Sequence, residues 1–73
     1  MDIRITIGQR IKVLRKAKGI SQEALANIAE IDRTYMTSVE NGKRNISIIN
    51  LEKIINALQL SIAEFFNDEK FGG

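Results

Sequence analysis

Between Ser21 and Gly42 the chain reads SQEALANIAEIDRTYMTSVENG, and two helix start signals fall inside this one stretch. A start signal has two parts. A Ser, Thr, Asp or Asn side chain accepts an otherwise unpaired backbone N–H, and apolar residues just before it and four after it close as a staple. Ser21 lies between Ile20 and Leu25, and Asp32 between Ile31 and Met36. The residues between leave space for one short helix and a tight turn, so the segment reads as two short amphipathic helices held close together.

The same signal recurs downstream, with Ser47 between Ile46 and Leu51 and Ser61 between Leu60 and Phe65. Ser61 also has Glu64 three residues on, which makes a capping box, and Thr6 with Gln9 forms another near the front. Five helices are therefore expected, starting near residues 7, 22, 33, 48 and 62. Gly19 after Lys16 and Lys18, and Gly42 after Asn41, read as C-terminal caps. From Asp2 to Ile7 polar residues alternate with isoleucines, and this stretch is read as loop. Helical spacing links Ile7, Ile11 and Leu14, then Leu25, Ile28 and Ala29, then Leu51, Ile54, Ile55 and Leu58, into one expected core. The fold class is all-α and compact, a single domain over residues 1–73 with 67–73 as a tail prone to fraying.

Composition closes off several functions. With 73 residues the core is small, and self-association becomes attractive. Cysteine and histidine are both absent, which removes disulfides, the usual zinc ligands and the usual proton shuttle at neutral pH. Nor is there a nucleophile–base pair or a phosphate loop, so no enzyme, cofactor or metal is expected. No apolar run approaches membrane-spanning length and the N-terminus carries no export signal, which makes a cytoplasmic protein the expectation. Net charge is only +2, but its distribution is uneven. Arg4, Arg10, Lys12, Arg15, Lys16 and Lys18 precede Gly19 with no acid after Ile3, whereas Glu64, Asp68 and Glu69 stand near the end. The first half is thus the better match for phosphate, with a plain solvated helix face as the alternative.

The segment after Asp32 can be read residue by residue. At roughly 100° per residue, Arg33, Thr34, Thr37, Ser38 and Asn41 fall within an arc of roughly 140°, and Tyr35, Met36 and Val39 fall opposite. Such a helix packs by one side and leaves the other free. An exposed short helix fits the major groove of B-DNA, with its N-terminal residues nearest the base edges, which puts Arg33 and Thr34 first. Arginine can donate to guanine O6 and N7, and threonine can offer a hydroxyl or touch a thymine methyl. The competing view is that these residues only solubilise a surface helix.

The run with Gln22, Leu25, Ala26, Ala29, Glu40 and Gly42 resembles the XRE-type helix-turn-helix domain of phage repressors and Cro, over nearly the whole chain. DRTYMTSVENGKRNIS resembles, more particularly, the controller proteins of restriction-modification systems. The resemblance implies a lambda-repressor-like DNA-binding domain and a small dimeric regulator of its own and the endonuclease gene. Its operator would have pseudo-palindromic half-sites, and RNA polymerase is a further implied partner. Phage-type repressor and antitoxin-like regulator are alternatives, as is a protein-interaction module that keeps the fold but reads no sequence.

Carried over position by position, the resemblance implies base reading by Arg33, Thr34, Thr37 and Ser38. It implies backbone contacts from Gln22, Tyr35, Asn41, Lys43, Arg44 and Asn45. Tyr35 is equally placed to be a core-edge aromatic, and Lys43 and Arg44 to be plain loop cations. Arg15 and Glu40 correspond to an internal ion pair joining the first helix to the third, the alternative being that Arg15 touches phosphate. Glu30 stands where the family often has glycine, so either the turn avoids left-handed backbone or stability is lost. Ile48, Ile49, Leu60, Ile62, Phe65, Phe66 and Phe71 exceed what so small a core can hold, and Ile48, Ile49, Leu60, Ile62, Phe65 and Phe66 are the dimer-surface candidates, the alternative being that Phe65 above all, and Phe66, complete the monomer core.

Overall fold

The computed structural model describes residues 1–72. Helix α1 spans Ile3–Ala17, α2 Gln22–Ala29, α3 Arg33–Glu40, α4 Ile48–Ala57 and α5 the single turn Ile62–Phe65, followed by a 3-10 turn over Glu69–Phe71. Ser21, Asp32, Ser47 and Ser61 each accept from the backbone N–H three residues on, so the four downstream helices start where their caps put them. The Ser61–Glu64 capping box is complete.

The front of the chain departs from expectation. Helix α1 begins at Ile3, not near residue 7, because Asp2 is itself an N-cap that accepts from the Arg4 N–H at 3.0 Å. Thr6 then lies inside the first turn, with its hydroxyl donating to the Asp2 carbonyl at 3.3 Å, so the Thr6–Gln9 capping box does not form. The alternating isoleucines are compatible with helix because only Ile7 reaches the core while Ile3 and Ile5 stay half-exposed.

α1 packs chiefly on α3, α2 on both α3 and α4, and α5 on α4. The core is Ile7, Ile11, Leu25, Ala26, Ala29, Met36, Val39, Ile54, Ile55, Leu58 and Phe65, with Leu14 and Leu51 packed at its edge. Ile28 points outward instead of inward. At roughly 100° per residue it lies on the far side of Leu25 from Ala26 and Ala29, and those two small residues form the contact face. Phe71, in the stretch read as a tail, packs against the core and meets Phe66 edge-on at 4.9 Å.

Two glycines set how α1 sits on α3. A Cβ at Gly8 would collide with the Val39 carbonyl oxygen and come within 2.8 Å of that of Glu40, so only glycine lets the two backbones meet. Gly42, at φ +72°, caps α3 and lies so close to Ile5 that a Cβ would be 2.7 Å from its Cγ1.

Candidate nucleic-acid interface

α3 is held from behind by charge as well as by its apolar side. Arg15 Nε lies 2.8 Å from Glu40 Oε2 and one terminal nitrogen 3.0 Å from Oε1, a two-point pair in which the Glu40 side chain is only 1% exposed. Arg15 also donates to the Ile20 carbonyl at 3.1 Å, so one guanidinium ties α1 to the start of α2 and the end of α3. The hydrogen bonds that Arg15 donates to Glu40 hold the Arg15 pKa above its ordinary value against the opposing effect of burial. This residue is spoken for by protein and has no freedom to grip phosphate.

Gln22, the first residue of α2, is drawn to α3 twice. Its Nε2 donates to Glu40 Oε1 at 3.3 Å, and its Oε1 accepts from the Thr37 hydroxyl at 2.7 Å. One amide N–H is left at a helix N-terminus, where the dipole favours an anion. Arg33 and Thr34 stand exposed at the front of α3, with Thr37 and Ser38 half-buried behind them. The Arg33 guanidinium lies 3.0 Å from Glu23 Oε2, a partner that sequence reasoning missed because nothing local marks it. Both side chains are more than 60% exposed, and a pair of that kind contributes about 0–1 kcal/mol, too little to keep Arg33 from a better acceptor.

Tyr35 is half-buried at the core edge, and the Arg44 guanidinium lies 4.8 Å above its ring. A cation–π contact thus orders the loop after α3 and makes Arg44 more than a free loop cation. Asn41, Lys43 and Asn45 are exposed beside it. The basic first helix proves less available than its charge suggests. Arg4 pairs with Asp2 at 2.8 Å, and Arg10 donates to the Phe65, Glu64 and Asn67 carbonyls at 2.6, 3.0 and 3.3 Å. With Arg10 and Arg15 committed, the exposed cations are Lys12 and Lys16 on α1, Lys18 just after it, and Arg4 in its surface pair with Asp2.

Of the candidate self-association residues, Ile48, Ile49 and Ile62 are 86%, 68% and 58% exposed. Phe66 is half-buried and Leu60 packs at the core edge. Phe65 must be withdrawn from the set, since it is wholly inside the monomer.

A short exposed polar helix, locked at its rear by a second helix across a tight turn, defines a helix-turn-helix DNA-binding protein. The helix-turn-helix family profile matches residues 11–65, and the chain belongs to that family. It is 50% identical over 68 residues to control protein C.MunI of Mycoplasma sp, covering 92% of each chain. The restriction-modification controller protein C.AhdI from Aeromonas hydrophila superposes with TM-score 0.84 at 42% identity, over 90% of this chain and 100% of that one. Controller protein C.Esp1396I, solved as a tetramer with its natural 35 base-pair operator, gives 0.83 at 38% identity over 86% and 83%. The chain is thus a helix-turn-helix regulator homologous to restriction-modification controller proteins, and its family is one of regulators, not enzymes.

Proposed function

We propose that this protein is a sequence-specific regulator of the restriction-modification controller type, binding a duplex operator as a homodimer. One observation carries the reading: Arg33 and Thr34 are exposed at the leading end of α3, Arg33 held only by a surface pair with Glu23, while Arg15, Glu40 and the core immobilise its rear. A rigid rod with two exposed polar side chains at its tip has the geometry for major-groove reading. In this reading Arg33 and Thr34 contact bases, with Thr37 and Ser38 behind them. Gln22, Tyr35 and the loop residues Asn41, Lys43, Arg44 and Asn45 hold the phosphates on either side.

Dimerisation places two α3 helices about one turn of duplex apart, roughly 34 Å. The surface for it is an apolar groove of about 260 Å³ lined by Ile48, Leu51, Glu52, Ile55, Ile62 and Phe66. That C.Esp1396I occupies its operator as a tetramer supports binding of DNA by more than one copy here.

Selection of bound sequences from random duplex DNA tests the proposal. A defined motif with two related halves is expected. Arg33→Ala should relax preference at one position of each half, by about 1–3 kcal/mol, whereas Lys43→Ala should weaken all sequences alike. Recovery of no motif, or equal losses on all sequences for both variants, overturns sequence reading.

A further inference from the structure

The hydrogen bonds behind α3 run in one direction, and they decide which way the Thr37 hydroxyl points. Glu40, held at both oxygens by Arg15, can only accept. The Gln22 amide must therefore turn its NH2 toward Glu40, 3.3 Å away, which sends its carbonyl oxygen to the other side. That oxygen lies 2.7 Å from Thr37 Oγ1, and an amide oxygen accepts but does not donate. The second inward neighbour of the hydroxyl, the Arg33 carbonyl at 3.0 Å, is again an acceptor. A hydroxyl has a single proton, and both protein groups that face this one compete for it.

We infer that Thr37 meets the major groove as a hydrogen-bond acceptor, so that its partner is an exocyclic amino group, N6 of adenine or N4 of cytosine. Resting on the proposed function, this specifies the chemistry of one contact within it. Guanine O6 and N7, thymine O4 and phosphate are acceptors and are disfavoured there, since each needs the proton that Gln22 and Arg33 hold. Turning the hydroxyl outward would strand the Gln22 oxygen, a part-buried acceptor with no other donor among the described residues. A threonine on an open helix face has no such polarity. Here it is inherited, through Gln22 and Glu40, from the buried arginine of α1.

The test uses the duplex recovered by selection, with single functional groups removed one at a time. Purine in place of adenine and pyrimidin-2-one in place of cytosine delete an amino group, and 2-aminopurine in place of guanine deletes O6. Each duplex is titrated with the wild-type protein, with Thr37→Val, which keeps the shape and loses the hydroxyl, and with Thr37→Ser, which keeps the hydroxyl. At one amino position per half-site the wild type and Thr37→Ser should lose about three- to tenfold in affinity, and Thr37→Val should lose nothing further. Coupling of Thr37 to the guanine O6 deletion instead, or sensitivity unchanged by Thr37→Val at every amino position, overturns the inference and leaves sequence reading intact. A wild-type protein that selects no sequence overturns the function reading itself and the inference with it.

Discussion

At the residue scale, Glu40 has the largest part. It neutralises Arg15, orients Gln22 and closes the far end of α3, all from a buried position. Removing one member of such a pair leaves a charge with no partner, which typically costs about 3–5 kcal/mol, as much as the whole stability of a domain this small. Glu40→Ala is therefore expected to be largely unfolded at 25 °C by circular dichroism, while Glu40→Leu combined with Arg15→Met should recover a cooperative transition. Wild-type stability in the single variant would show that the pair does not hold α3. Glu64 offers a finer test at the same scale. The Ser61 N–H donates to its carboxylate at 2.8 Å, and this bond holds its pKa below the ordinary value near 4.5. A depressed folded pKa stabilises the fold above the unfolded value and is lost as pH falls through the folded one. The urea midpoint should thus decline more steeply in the wild type than in Glu64→Gln once the pH drops below about 4.5, with parallel curves above it. Parallel curves throughout would remove Glu64 from the acid response.

At the scale of elements, the turn between α2 and α3 carries a cost that its sequence announces. Glu30 takes a left-handed conformation at φ 57° and ψ 45°, and its N–H donates back to the Asn27 carbonyl at 3.2 Å. The turn does not avoid the geometry that glycine would ease. Glu30→Gly removes a strain of about 1–2 kcal/mol and adds freedom to the unfolded chain, so a net gain of about 0.5–1 kcal/mol is expected in urea unfolding. A loss in that variant would mean that the Glu30 side chain contributes something its exposed position does not show. The one-turn helix α5 is secured in a different way. Four residues cannot sustain a helix alone, and Arg10 supplies donors to the carbonyls at its C-terminal end, with Asp68 3.5 Å from the same guanidinium. Phe65 anchors the turn from below. The cation that looked ready for phosphate therefore fixes the element that bears Ile62 and is followed by Phe66.

For the molecule as a whole, the distribution of exposed apolar surface is the outstanding feature. Ile48 and Ile62 line the α4–α5 groove, and Ile49 next to Ile48 in the chain is 68% exposed. Sedimentation at micromolar concentration should show a dimer, and Ile48→Lys should shift it toward monomer by tenfold or more in dissociation constant, about 1.4 kcal/mol. Because Ile48 is almost fully exposed in the monomer, thermal unfolding of a dilute sample should hardly change. A wild-type protein that sediments as monomer at all concentrations, both free and on DNA, removes the dimer.

Helix starts were legible because capping is local. A cap oxygen and its donor lie three residues apart, and the staple closes within five, so Ser21, Asp32, Ser47 and Ser61 could be read directly. The same locality misled at the front, where Asp2 and Thr6 both carry capping side chains and it is Asp2, accepting from the Arg4 N–H, that starts the helix. The polar face of α3 followed from its period. What no local pattern could decide was which groups meet once the helices are packed. Arg10 finds carbonyls more than fifty positions away, Arg33 finds Glu23, and the Thr37 proton is directed by Glu40 through Gln22. Hydrogen-bond polarity and charge pairing depend on distance in space, and only the tertiary arrangement of α1, α2 and α3 sets those distances.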